Sequence, residues 1–239
     1  TWSKSLDDAS DGIDFNFATA ALPQNSYDLA AEHGPSTFDT RQRFTAALNY
    51  DIPRLNHGPQ WLTRGWALNT ITTVMTGRPI PIITATDTSG LGYPPPSNYH
   101  QRPNLVPGVN PILSNWSPAT GYLNPLAFQQ PADGTFGNLG RNAIFGPGFW
   151  DVDLSLIKDT KLTEKLAMQL RFEFFNVFNH PNYALPANVI TPGVNADGSI
   201  NTSAGLQGLI TQTPDVAQGN PGLGGGGPRV IQVGARLTF

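Results

Sequence analysis

The 239-residue chain carries 14 Lys and Arg against 17 Asp and Glu, a formal charge of -3, and no cysteine. That balance argues against a nucleic-acid partner, which needs clustered cations to meet phosphates, and the missing thiols exclude disulfides, zinc-thiolate sites and cysteine nucleophiles. Charged residues make up 13%, about half the usual share, while 25 Gly and 22 Pro favour turns over helices.

Taken in chain order, hydrophobic residues recur with period two rather than 3.6. The opening TWSKS reads as a strand by position only. In DTRQRFTAALNYDI, Phe44, Ala46, Leu48, Tyr50 and Ile52 share one face, and Asp39, Arg41, Arg43, Thr45, Asn49 and Asp51 the other. Trp61 to Thr76 is a third strand by composition, with less clean faces because Arg64 has the parity of Trp66 and Leu68. WDVDLSL sets Val152, Leu154 and Leu156 against Asp151, Asp153 and Ser155. LAMQLRFEFF sets Leu166, Met168, Leu170, Phe172 and Phe174 against Gln169, Arg171 and Glu173. The last strand, RVIQVGARLTF, alternates Ile231, Val233, Ala235, Leu237 and Phe239 with Gln232, Gly234, Arg236 and Thr238.

Six expected strands leave five connections, alternately long and short. Asp7 to Phe38, Gly77 to Phe149 and His180 to Gly227 are long, rich in Pro, Gly and Asn, and read as structureless; Pro53 to Gln60 and a turn at Asp159 to Thr163 are short. Ordinary globular domains rarely hold loops of that length. Antiparallel membrane barrels do, with short periplasmic turns, long external loops, strands of ~10 residues, and alternation of apolar-out with polar-in. The expectation is therefore an all-β fold: an antiparallel transmembrane β-barrel segment of about six strands with three long extracellular loops.

In that architecture the charged face lines the interior, and Arg43, Arg171, Glu173 and Arg236 are the lumen-facing candidates, Arg171 and Glu173 as part of an ion-pair ladder. Trp61, Trp66, Phe149 and Trp150 are candidates for the interfacial aromatic girdles; ordinary strand and turn aromatics are the plainer alternative. The strands descending from the long loops place Phe239 at the periplasmic rim. Six strands do not close a barrel, since single-chain barrels begin at about eight and an open edge in lipid leaves backbone groups unsatisfied. The opening TWSKSLDDAS has the character of mid-chain, so residues 1–239 are expected to be the C-terminal portion of a longer barrel domain.

Motifs of catalysis and metal binding are faint. His33, His57, His100 and His180 sit in expected loops without ligand spacing, and read as polar loop residues. Asp7 with Asp8 reads as a solvated pair, and Asp151 with Asp153 points inward, to meet cations or water. GNPGLGGGG lacks the Lys-Ser/Thr ending of a phosphate loop. NADGSIN has a trace of a calcium loop in Asn195, Asp197 and Asn201 without the closing glutamate; Asp197-Gly198 reads as a hairpin turn. No nucleophile elbow or triad is legible, so the expectation is no enzyme, no cofactor and no metal site.

Several stretches together resemble the C-terminal barrel of Oar-like TonB-dependent receptors, whose longer members carry a carboxypeptidase-regulatory-like domain. They are TWSKSLDD, FDTRQRF with ALNYDIP, RGWALNTITTVMTGRPI, RPNLVPG, GTFGNLGRNAIFGPGFWDVDLSLIKD and LRFEFFNVFNHPNY, in family order across essentially the whole chain. The terminal aromatic Phe239 matches the signal read by the barrel assembly machinery. The resemblance implies an outer-membrane protein with a 22-stranded plugged barrel, taking up a bulky ligand with energy relayed by the TonB complex. The plug and most strands lie outside these residues. The partners implied are outer-membrane lipid, the plug, the TonB complex and the assembly machinery. Two other classes stay open at this stage: a non-transporting surface or adhesive barrel, and a soluble β-sandwich that binds carbohydrate.

Overall fold

The computed structural model describes residues 1–10, 23–53, 58–91, 101–219 and 225–239. Five strands form one open antiparallel meander: β1 (Arg43–Ile52), β2 (Trp66–Met75), β3 (Phe149–Lys161), β4 (Ala167–Phe175) and β5 (Val230–Thr238), each bonded to the next, with β1 and β5 as the edges. Their lengths run from 9 to 13 residues, which suits strands that cross hydrocarbon at a tilt.

The register carries the alternation from strand to strand. Tyr50, Leu68, Leu156, Phe172 and Val233 fall in one row across the sheet, as do Leu48, Thr70, Leu154, Phe174 and Ile231. One residue along, Asn49, Asn69, Ser155, Glu173 and Gln232 form a row on the opposite face. Four segments with independent alternation thus agree on which side is apolar, which is how register is specified in a sheet; β2 fits less cleanly, with Ile71 and Met75 in register with Asp153 and Arg43 on the charged face.

Thr1–Ser5 does not run along β1 as the expected first strand. It meets only the start of β1, through a bridge of Trp2 to Gln42 and a bond from Ser3 N to Arg41 O of 3.0 Å. It then continues into a pairing of Leu6–Asp7 with Gly34–Pro35, outside the sheet. The third expected strand is also shorter than its composition suggested. Gln60–Thr63 is a single helical turn, and the strand begins at Trp66. Gly65 causes the break: its φ is 74°, and its backbone approaches β3 so closely that an added Cβ would lie 2.3 Å from Asp159 O. Arg64 is therefore not a strand residue, which removes the parity conflict. The second short turn lies three residues later than expected. Lys161 still pairs with Ala167, and Leu162 N and Thr163 N close the turn on Leu166 O at 2.9 and 3.1 Å.

The expectation of structureless long connections is corrected by where the buried residues lie. On the apolar face of the sheet Leu48 is 59% and Val233 65% exposed, while Leu123, Phe128 and Ile80 in the second connection and Ile190 in the third are buried to 2% or less. These residues, with Ile82, Tyr122, Leu139, Ile144 and Ile210, make one hydrophobic cluster entirely within the connections. Short pairings knit it: Ile83–Thr84 runs parallel with Val189–Ile190, Phe128–Gln129 pairs with Asn104–Leu105, and Gly193 N donates to Pro125 O. The expected hairpin at Asp197-Gly198 is present, with Asn195 N bonded to Ser199 O and Gly198 at a φ of 86°. The described parts of the three connections thus form an ordered layer at one end of the sheet, and the described parts of the two short turns lie at the other.

Two expected outcomes follow from this geometry. Gly65→Ala meets both the left-handed φ and the Asp159 carbonyl, whereas Gly90→Ala has a similar φ of 73° and nothing within 4 Å of its Cβ. Urea midpoints in detergent should therefore fall clearly further for Gly65→Ala, by more than the ~1 kcal/mol of backbone strain alone. On the faces, Phe172→Arg should cost about 2–4 kcal/mol and most of the outer-membrane yield, while Arg171→Ala leaves yield near wild type. Equal losses would reverse the face assignment.

Candidate functional site

The site is the charged face of the sheet beneath the loop layer. Its polar side chains are brought together by cross-strand register rather than by sequence proximity. Arg43 opens β1 on this face, opposite Met75, and is exposed. Arg171 lies between Ile157 and Gly234, Glu173 between Ser155 and Gln232, and Arg236 opposite Gln169. The expected ion-pair ladder is replaced by a hydrogen-bonded relay. Arg171 Nε donates to Gln169 Oε1 at 2.7 Å, and Gln169 Nε2 donates to Asp159 Oδ1 at 2.9 Å. Arg171 and Glu173 are two apart on one strand, and among the described residues they form no ion pair. A glutamine between Asp159 and Arg171 bridges the gap that two charges alone would leave.

The aromatic candidates occupy different places. Trp66 and Trp150 lie on the apolar face at opposite ends of the sheet, Trp66 by the short turns and Trp150 by the loop layer. Trp150 stacks on His180 with centroids 4.1 Å apart and lies 6.0 Å from Phe178. Phe149 is on the charged face, under Gly226, whose Cβ would come within 2.7 Å of its ring. Trp61 is in the helical turn before β2 and exposed. Trp2, by its pairing with Gln42, shares the face of Phe44, and with Trp150 and Phe178 it adds an aromatic at the loop end that the sequence reading did not single out. Phe239 follows β5 at the short-turn end and is 95% exposed.

Lys158 is a second feature the alternation did not reveal. It lies on the apolar face opposite Trp66, yet its ammonium reaches back to the carbonyls of Arg64 and Asp159 and sits 5.5 Å from the Trp66 ring. A lysine that buries its stem and returns its charge to a turn is snorkelling.

The loop layer is fastened by buried charge, largely from the motifs that carry the family resemblance. In RPNLVPG, Arg102 Nη1 donates to Glu32 Oε2 at 2.5 Å and Nη2 to Ala31 O at 3.3 Å; both side chains are at least nine-tenths buried. In GNLGRN, Arg141 donates to Asp7 Oδ1 at 2.7 Å, to Ser10 Oγ at 2.6 Å and to Glu32 O at 3.2 Å. The two motifs also bind each other. Asn138 N donates to Asn104 Oδ1 and Leu105 N to Asn138 Oδ1, both at 2.9 Å, and a Cβ on Gly137 would stand 1.8 Å from Arg102 O. FNVFNHPNY ties the third connection to the sheet: Asn176 N donates to Asp153 Oδ1, and Asn176 Nδ2 to the carbonyls of His180 and Gly227. Its Asn176 and Asn179 take φ values of 49° and 51°, a conformation asparagine tolerates better than most residues.

Burial alone would raise the Asp7 carboxyl, but hydrogen bonds from Ser36, Arg141 and Ser10 together hold it below its ordinary value near 3.8. Asp7 is thus no free solvated acid, and its neighbour Asp8 accepts from His33 at 2.8 Å. Burial pushes the Tyr122 phenol up to about 12; its hydroxyl donates to Phe145 O at 2.9 Å. The Asp197 carboxylate, held low by bonds from Ser199, is committed to its own turn. His57, His100 and residues 220–224 of GNPGLGGGG lie outside the described residues. Among the described residues no group of three or more His, Cys, Asp or Glu is placed to hold a metal ion.

A sheet with a continuous apolar face, a charged opposite face, short turns at one end and an ordered loop layer at the other defines a membrane-spanning β-wall rather than half of a soluble sandwich. No helix among the described residues is long and apolar enough to cross a membrane, a finding that bears on helices alone. Over residues 1–232 the sequence matches the family described as Outer membrane beta barrel domain, and the chain belongs to that family. It is a protein of the outer membrane. No curated protein and no solved structure matches it.

Two measurements probe the clasp. Arg102→Leu strands the buried Glu32 carboxylate and should cost about 3–5 kcal/mol, whereas Arg102→Leu with Glu32→Leu should cost much less, because most of the loss is the unpaired charge; a double-mutant cycle by chemical denaturation reads the difference. For Asp7 the folded carboxyl is depressed, so its contribution is complete above the ordinary carboxylate value and is lost as the pH falls through the lowered one. Hydrogen-exchange protection near Ser10 and Ser36, measured relative to the unfolded peptide at each pH, should fall only below about pH 4, and Asp7→Asn should show that loss of protection at neutral pH.

Proposed function

We propose that this chain forms wall, rim and external cap of a TonB-dependent receptor-transporter that takes up a bulky ligand across the outer membrane. The observation that carries the reading is the loop layer. Connections 77–149 and 180–227 share one hydrophobic cluster, and two buried arginine clasps fasten connection 7–38 to 77–149, at the end of a charged strand face. A pore that passes only small solutes has no evident use for an external cap of that order. A receptor has, because a preorganised surface lowers the entropic cost of binding. The motifs resembling Oar-like receptors are the ones that hold this cap, which supports the same reading.

In this mechanism the loops capture the ligand, and the charged face, with Arg43, Arg171, Glu173 and Arg236, meets the plug or the passing solute. A plug rearranged from the periplasm by the TonB complex then opens the way. The apolar face contacts outer-membrane lipid, and Phe239 serves as the mark read by the assembly machinery. The chain acts by binding and transport, without catalysis, cofactor or nucleic acid.

The test is uptake in the native host, with the protein at unchanged surface level. Deleting the TonB component should abolish accumulation of ligand in the periplasm while surface binding persists. Accumulation that survives the deletion would overturn energised transport, and surface binding without any accumulation in the wild type would make the protein a non-transporting surface barrel.

A further inference from the structure

We propose that a recess at the loop end of the charged face binds a small organic cation, an alkylammonium or guanidinium head on a short apolar stem. The recess has a volume of about 300 Å³ and is lined by Asp151, Asp153, Phe175, Gly226, Val230 and Gln232, among others. It lies where the start of β3 leaves the second connection and where β4 and β5 flank the third.

Two facts mark it as built for positive charge. Asp151 is only 8% exposed, and its Oδ1 has no hydrogen-bond partner among the described residues. A buried carboxylate oxygen without a donor is costly, so it is a place where a donor is wanted. Asp153, two residues along and on the same face, accepts from Asn176 N through Oδ1 at 3.0 Å, which leaves its second oxygen for another donor. Neither carboxylate is paired with Lys or Arg among the described residues.

The rest of the lining selects the kind of cation. A metal ion seeks a full shell of oxygen ligands, and the nearby Asn176 amide is already committed to His180 and Gly227. The wall carries Phe175, Val230 and Pro228, which supply aromatic and aliphatic lining. Two carboxylates at the head and an apolar wall beside them match an ammonium or guanidinium with a few methylenes attached.

The inference rests on the reading of the charged face as the barrel interior, and its failure is separable from that reading. The full chain in detergent micelles is titrated calorimetrically with n-butylammonium, with n-butanol as the uncharged match and with calcium. Butylammonium should bind saturably, butanol should not, and Asp151→Asn should weaken binding about tenfold, the loss of one charge-assisted hydrogen bond. Phe175→Leu, which keeps both carboxylates, should weaken it several-fold and supplies the answer if Asp151→Asn fails to fold. Equal binding of butanol, full affinity in both variants, or calcium binding with no response to butylammonium would each overturn the proposal. The face assignment would stand in all three cases, because the Phe172→Arg and Arg171→Ala comparison tests it independently.

Discussion

Hydrocarbon offers a backbone amide nothing to bond to and a charged side chain nothing to be solvated by. Everything in this chain is arranged around that constraint. Each of the five strands bonds its backbone to the next in a continuous meander, and side chains are sorted by parity so that all but β2 give a clean apolar set to the same side. A soluble sheet would hide such a face under a second layer. Here Leu48 and Val233 remain open, and the buried hydrophobic cluster belongs to the connections instead. The usual relation of core to periphery is inverted, because the solvent on one side of the sheet is itself apolar.

The inversion explains the spending of buried charge in the loop layer. The connections are exposed to water on one side and have only a modest cluster of aliphatic side chains to hold them. Arg102 with Glu32, and Arg141 with Asp7, Ser10 and the Glu32 carbonyl, fix the first connection against the second across more than sixty residues of sequence. Buried arginine forks are poor sources of net stability, but they specify one arrangement against alternatives.

Parity made the sheet legible in the sequence. Phe44 to Ile52, Leu170 to Phe174 and Ile231 to Leu237 each announce a face, and they agree once the strands are paired. The start of β2 was harder, because Trp61 and Leu62 have strand-like composition and only the φ of Gly65 reveals a break. The order of the connections was not legible at all. Ile80, Leu123, Phe128, Ile190 and Ile210 follow no period, since short extended pieces and turns bring them together from distant positions. RPNLVPG and GNLGRN were visible as motifs, yet nothing in either announces that the Asn104 side chain binds the Asn138 amide and the Asn138 side chain the Leu105 amide. Phe149 and Trp150 show the limit of composition: adjacent aromatics at a strand start point to opposite faces, and only the pairing with β2 assigns them.

Lys158 and Trp150 bear on the thickness of the membrane this wall fits. They bound the apolar row of β3 at its two ends, eight residues apart on one face. Eight steps of a strand span roughly 26 Å, and at a tilt near 40° the vertical height is about 20 Å. That is thin by the standard of a typical ~30 Å hydrocarbon core, and it leans the way outer membranes do. The ammonium of Lys158, tied back to the Arg64 carbonyl beside the Trp66 ring, leaves little freedom to slide the wall deeper. In a thicker bilayer, the lipid would have to compress around this edge, and hydrophobic mismatch would work against the protein's residence there.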